Sequence, residues 1–243
     1  MQFYDVHSHI LPNFDDGAEN VKETLELLNC LRKQNVNNIC FTPHFYTNEM
    51  SAEDFVEKRN IAYKEFLPHK PSNVNIVLGS EVYVTRFLFS NEDLSGVTYG
   101  KSNYILTEFG YGSSFSEKTM SYLYKLIEDY NMIPIIPHIE RYSTLMSDLG
   151  VIIELKAMGI LIQTNVNNYT KKASFLKRRK LIKLIDTEMI DLLGTDAHSM
   201  NHNSPENYTP AIECIRKYCG DQAVERMMRN AKKIFDKAMG TVE

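Results

Sequence analysis

The chain has 243 residues, 43% of them hydrophobic and 24% charged, and a formal net charge of −4. That length and composition allow one large buried core and fit a single domain, 1–243, of barrel size. The negative balance removes any electrostatic case for nucleic acid or acidic lipid as a partner.

Seven short β-rich runs alternate with longer helical patterns. In chain order they are Gln2–Val6, Asn37–Thr42, Val74–Gly79, Asn103–Phe109, Met132–Pro137, Gly159–Thr164 and Ile190–Thr195. After the first run, "NVKETLELLNCLRKQN" spaces Val21, Leu25, Leu28 and Leu31 three or four apart, with Asn20 as the expected cap. "SEKTMSYLYKLIEDYN" and "KRRKLIKLIDTE" repeat the pattern, and Pro210–Lys237 reads as two closing helices. Strand-then-helix order predicts an α/β protein with a mainly parallel sheet, and seven units suit a closed or nearly closed (β/α) barrel. The four cysteines, Cys30, Cys40, Cys214 and Cys219, have no paired metal spacing and are expected to be reduced thiols. No basic segment leads into an apolar run, and no window approaches the roughly 18 apolar residues of a membrane span, so a soluble, cytoplasmic protein without membrane insertion is expected.

The histidines and acids fall at the C-terminal ends of these runs. His7 and His9 follow the first, His44 the second and Glu81 the third; Glu108 ends the fourth, His138 follows the fifth, and Asp196 and His198 follow the seventh. In an α/β barrel those ends converge on one face, where active sites are built. Imidazoles and carboxylates gathered in one pocket are the ligand set of divalent metals such as Mn, Fe or Zn, and stay poorly satisfied without a cation. Side chains two apart on a strand point the same way, so His7 with His9, and Asp196 with His198, can each face one centre. Asp16 enters from the loop "NFDDG", where Gly17 permits a tight turn. Asp5 is a candidate to orient a ligand, Asp15 reads as a turn residue, and Asn165 either bonds in the site or ends its strand.

The segments "HSH", "TPH", "GSE", "ILTEF", "PHIERY" and "GTDAH", in this order over nearly the whole chain, resemble the PHP (polymerase and histidinol phosphatase) superfamily. "DVHSHILPNFDDGA" with "PHIERY" is similar to the metal-dependent protein-tyrosine phosphatases of bacterial capsule and exopolysaccharide operons, the CpsB/CapC-like group. The resemblance implies a distorted seven-stranded β/α barrel holding three divalent metals, usually manganese. It places His7, His9, Glu81 and Asp196 on one ion, Glu81, Glu108 and His138 on a second, and Asp16, His44 and His198 on a third, with Arg141 as the phosphate-binding arginine. Where the family carries a second arginine after the last strand, this chain has Asn203, with His202 beside it, so a weaker phosphate grip is expected, one that Asn203→Arg would strengthen. The implied partner is a phosphotyrosine protein, such as a bacterial tyrosine kinase.

Three divalent ions against the carboxylates of Asp16, Glu81, Glu108 and Asp196 leave a positive surplus suited to a phosphate dianion. The expected reaction is attack of a metal-bridging hydroxide on phosphorus, with Arg141, Asp196 and His198 as catalytic residues. A salt bridge to Glu140 or a helix cap is the structural alternative for Arg141. A cysteine nucleophile is excluded on spacing, since none of the four cysteines has an arginine six residues on. "SGVTYGKS" leads into a strand rather than a helix and so is not a nucleotide loop. "KKASFLKRRK", Lys171–Lys180, is either a solvated helix face or a steering patch near the site mouth. Two other functions stay open, a phosphoesterase for small phosphomonoesters of the histidinol phosphate kind and a non-catalytic, metal-stabilised interaction protein.

Overall fold

The computed structural model describes residues 1–110 and 115–241. Each of the seven runs overlaps a strand, β2 and β8 reaching one residue beyond the expected bounds. β1 (Phe3–Asp5), β2 (Val36–Phe41) and β4 (Asn75–Leu78) form one parallel sheet in that order. β3 (His44–Tyr46), β5 (Glu81–Tyr83), β6 (Tyr104–Glu108), β7 (Ile133–Ile136), β8 (Leu161–Asn165) and β9 (Leu192–Gly194) form a second parallel sheet, again in that order.

The architecture is therefore α/β with parallel sheets, but strand pairing draws two sheets and not one closed seven-stranded ladder. The extra strands come from interruptions. Pro43 has no N–H to give the ladder, so β2 stops before it and β3 resumes at His44; Gly79 and Ser80 separate β4 from β5, although Gly79 N still donates to Phe41 O (2.8 Å) and Glu81 N to Pro43 O (3.0 Å). Beyond β1 and β9 the chain ends meet through an isolated parallel bridge, Ser8 with Ala197, in which Asp196 N donates to His7 O (2.7 Å) and His9 N to Ala197 O (2.9 Å).

Helices fill the connections. α1 (Val21–Lys33) starts where Asn20 accepts from Glu23 N at 3.1 Å. It buries Leu27, Leu28 and Leu31, while Val21 and Leu25 pack half-buried against the core; Thr24 is buried because its hydroxyl donates to Ile10 O (2.8 Å). α2 (Ala52–Phe66), α3 (Glu117–Glu128), α4 (Ser143–Ser147), α5 (Leu149–Ala157) and α6 (Phe175–Asp186) follow. The closing segment, α7 (Tyr208–Met239), is two helices as expected, joined at Gly220, whose non-helical φ of 82° and ψ of 171° suit a residue without Cβ. Among the described residues no helix is long and apolar enough to cross a membrane. With Leu27, Phe41, Ile105, Ile135, Ile162 and Leu193 buried behind them, the strand ends are held rigidly, which the site requires.

Candidate metal centre

All nine candidate ligands meet on one face: His7, His9, His138, Asp196 and His198 follow β1, β7 and β9, Glu108 ends β6, His44 and Glu81 open β3 and β5, and Asp16 comes from the loop after β1. His44 pairs in register with Glu81, and Tyr83 with Glu108, which sets those side chains next to each other. Donor atoms of His7, His9, Glu81 and Asp196 lie within 4.8 Å of one another, as do those of His9, Asp16, His44 and His198, and those of His44, Glu81 and Glu108. His138 Nε2 stands 2.7 Å from Glu81 Oε1 and 3.5 Å from Glu108 Oε1. His9 thus stands beside the Asp16 group as well as the His7 group, a sharing that spacing along the chain did not indicate.

Hydrogen-bond partners fix which imidazole nitrogens can bind a cation. His7 Nδ1 faces Gln163 Oε1 (3.2 Å), His9 Nδ1 faces Asp15 Oδ2 (2.7 Å) and His198 Nδ1 faces the carbonyl of Asp196 (2.8 Å). Each of these oxygens can only accept, so each Nδ1 carries the hydrogen and Nε2 is left with its lone pair. The Nε2 atoms of His7 and His9 nevertheless stand 3.2 Å apart, two lone pairs face to face in a fully buried place. Either one ring takes a proton or a cation sits with them. Glu81 Oε2 and Asp196 Oδ1, both buried, have no hydrogen-bond partner and stand 3.3 Å and 3.4 Å from His9 Nε2. Unpaired buried carboxylate oxygens are costly, and a divalent ion satisfies them and the facing nitrogens together; the donor set fits metal.

The charge state without ions reflects the same crowding. Burial favours neutral Glu81, but His7, then His138 at 2.7 Å and His44 at 3.0 Å, holds its pKa well below the usual range. Asp196 is likewise held low against burial, by His7, His9 and Arg141. Burial and then the neighbouring His9 push His198 down to about 4, which keeps it a neutral donor. Burial lowers His9, but Asp15 together with Asp196 and Glu81 raises it well above its ordinary value.

Behind these groups lies a set of orienting residues. Asp15 is not merely a turn residue. Besides His9 it accepts from His44 N (3.0 Å) and Gly17 N (3.1 Å), so one carboxylate fixes two candidate ligands. Gly17 is needed for space and not for an unusual turn, since a Cβ there would stand 1.9 Å from His9 O. Asp5 accepts from Thr195 N and Oγ1 (2.8 and 2.5 Å) and from His7 N (3.4 Å), tying the first strand to the last. Gln163 was not singled out in the sequence; its Oε1 also accepts from His138 N (2.9 Å), joining His138 to His7. The available signal was a lone amide inside the apolar run "GILIQT", because a buried polar side chain must have partners. Asn165 does enter the site, donating to Asp196 Oδ2 at 2.9 Å.

Arg141 and Asn203 converge on that same oxygen. Arg141 Nη2 donates to Asp196 Oδ2, and Asn203 Nδ2 does so at 2.8 Å while its Oδ1 accepts from Asn167 (2.7 Å). Glu140 meanwhile accepts from Thr164 Oγ1, Asn165 N and Asn168 Nδ2. His138 (φ 34°) and Asp196 (φ 53°) occupy the left-handed region, sparsely populated for such residues and held there by their surroundings.

Above the ligands opens a cleft of about 540 Å³, with Tyr46, Tyr83 and Phe109 on its wall and Arg141 and His202 at its lip. His202 rests against His198, ring centroids 4.7 Å apart. Burial and then Asp16 push the Tyr46 phenol up to about 12, so it stays neutral. From the basic run, Lys172 and Lys177 line a different, polar cleft of about 480 Å³, which Asn203 also borders.

The family profile described as capsular polysaccharide synthesis, CpsB/CapC, matches residues 3–236. The tyrosine-protein phosphatase CpsB of Streptococcus pneumoniae is 28% identical over 245 residues, covering 95% of this chain and 97% of its own. The tyrosine-protein phosphatase YwqE of Bacillus subtilis is 26% identical over 247 residues, covering 94% and 89%. A solved structure described as YwqE from Bacillus subtilis and CpsB from Streptococcus pneumoniae, metal-dependent tyrosine phosphatases, superposes with a TM-score of 0.82 at 19% identity over 97% of this chain and 95% of that one.

Proposed function

This chain belongs to the CpsB/CapC family of capsular polysaccharide synthesis, and we propose that it is a metal-dependent protein-tyrosine phosphatase, a phosphoric monoester hydrolase that needs no cysteine. The facing Nε2 atoms of His7 and His9, 3.2 Å apart between the unpartnered oxygens of Glu81 and Asp196, carry this reading. The two sheets are read as parts of one distorted barrel of seven β runs, and residues 1–243 as one domain. Three ions, manganese before iron or zinc, are assigned to His7, His9, Glu81 and Asp196, to Glu81, Glu108 and His138, and to Asp16, His44 and His198. Divalent ions, when bound, supply Lewis acidity toward phosphoryl oxygens and toward water.

The chain's own groups supply the rest. Arg141, about one third exposed at the lip of the cleft, offers a planar guanidinium for bidentate contact with phosphate, while Asp196 holds it in place from below. His198 presents a neutral Nε2, and His202 stands beside it as a further donor. Asn203 acts through Asp196, not by reaching the cleft itself. The thiols are unsuited to attack on phosphorus, since burial pushes Cys219 up to about 11 and Cys40 well above its ordinary value. The substrate is a phosphotyrosine protein, with a bacterial tyrosine kinase of capsule or exopolysaccharide synthesis as the partner, and the location is the cytoplasm.

The test is parallel turnover by protein reconstituted with Mn, Fe or Zn on phosphotyrosine peptides, phosphoserine peptides, histidinol phosphate and nucleotides. Phosphotyrosine should lead by at least tenfold in kcat/KM. Preference for a small phosphomonoester would replace this reading, and no turnover with any ion would end it.

A further inference from the structure

The cleft above the candidate ligands does not end at its aromatic wall. Asp16, His44 and Tyr46 line it on one side and on the other border a second cavity, of about 620 Å³, that runs along α2. The floor of this second cavity is apolar. Phe14 packs edge-on against Phe55 with centroids 5.5 Å apart, and Met50 and Ile61 complete it. Both Ile61, 52% exposed, and Tyr46, 38% exposed, line the cavity and reach solvent. Lys58 stands among the carboxylates of Asp15, Asp16, Glu49 and Glu65 in the lining, so the cavity disfavours an acidic side chain.

The volume is in the range that takes a bulky side chain. Its continuity with the cleft says where that side chain comes from. A polypeptide whose phosphotyrosine ring lies against Tyr46 and Tyr83 must leave the cleft, and an extended chain advances about 3.3 Å per residue with alternate side chains on one face. The ring of Tyr46, stacked on His44 with centroids 5.3 Å apart, is the partition between the two spaces. A residue one to three positions from the phosphotyrosine is therefore placed over Phe14, Met50 and Ile61.

Resting on the phosphatase reading, we propose that this second cavity is a specificity subsite for an apolar or aromatic side chain close to the phosphotyrosine in the substrate polypeptide. Small aryl phosphates engage only the first cleft, whereas a protein segment engages both. Ile61 and Met50 are the residues that set the preference, and Tyr46 positions the phosphotyrosine ring against the partition.

The test uses manganese-loaded full-length protein and two phosphotyrosine peptides of equal length, one with leucine and one with alanine at the three positions on each side, with para-nitrophenyl phosphate as the small reference. The leucine peptide should exceed the alanine peptide about tenfold in kcat/KM, through KM and not kcat. Ile61→Glu should reduce that ratio to less than twofold, and Met50→Ser should reduce it about threefold. Ile61 lies on the exposed side of α2, and melting curves establish that both variants fold. Equal rates on the two peptides, or a ratio that survives both substitutions, overturns the subsite while para-nitrophenyl phosphate turnover leaves the phosphatase reading standing. Absence of turnover on all three substrates overturns both.

Discussion

Asp15→Asn removes a charge while keeping the shape, and its effect can be worked out from three contacts. The carboxylate holds His9 Nδ1 at 2.7 Å with one oxygen, which also accepts from His44 N at 3.0 Å, and takes Gly17 N at 3.1 Å with the other. An asparagine has one acceptor oxygen. Whichever way it turns, its NH₂ opposes either His9 and His44 or Gly17, so at least one bond is lost and the remaining pull on His9 is neutral. A charge-assisted bond in a buried place is worth about 1.5 to 3 kcal/mol, and loss of a partner that orients a metal-ligating histidine costs roughly 10- to 100-fold in metal affinity or activity. The expected result is a chelator midpoint shifted at least tenfold toward lower chelator, read as bound metal by mass spectrometry after dialysis, with kcat/KM falling in parallel and unchanged circular dichroism. Wild-type metal retention and turnover in a folded Asp15→Asn protein would return Asp15 to the role of a turn residue and refute the orienting argument.

Three further outcomes are expected. Chelation should lower the melting temperature by about 5 to 10 °C, since ions at about 100 times their dissociation constant stabilise by about 2.7 kcal/mol and 1 kcal/mol shifts a domain of this size about 2 to 4 °C; superimposable melting curves with and without chelator would count against a multinuclear site. Replacing Cys30, Cys40, Cys214 and Cys219 by alanine or serine should leave turnover within severalfold, whereas His44→Ala or Asp196→Ala should cost several orders of magnitude; trapping of a phosphocysteine would reverse this. The gain expected from Asn203→Arg on sequence grounds is replaced by a loss of about tenfold in kcat/KM, because residue 203 has φ 51° and its amide is committed to Asp196 and Asn167; a rate increase in that variant would show that the loop re-forms around a phosphate contact.

What the sequence made legible follows from the range of each interaction. Strand-end ligands were readable because a strand's period of two and a parallel sheet's polarity act locally: His7 with His9, and Asp196 with His198, need only their own run to define a common direction. The seven β runs were readable for the same reason. The division into two sheets was not, because it depends on how the chain at Pro43 and at Gly79–Ser80 meets its neighbours, which is a property of pairs of strands. The orienting residues were hidden in a similar way. Gln163 meets His7 across 156 positions and His138 across 25, and Asp5 meets Thr195 across 190, distances over which no local period carries information.

Asp196 combines both cases and explains why the site is stiff. Its position after a strand was readable, but its left-handed backbone and the convergence of Arg141, Asn165 and Asn203 on Oδ2 were not. Three donors on Oδ2 leave the other oxygen of this carboxylate, Oδ1, without a hydrogen-bond partner and beside the Nε2 atoms of His7 and His9. The orientation of the carboxylate toward a cation is thus set before any ion arrives, with the entropy of fixing it met by folding. Because Arg141 is one of the three donors, the proposed function implies that a phosphate drawing its guanidinium away would also loosen Asp196, which would couple substrate binding to metal affinity through a single oxygen atom.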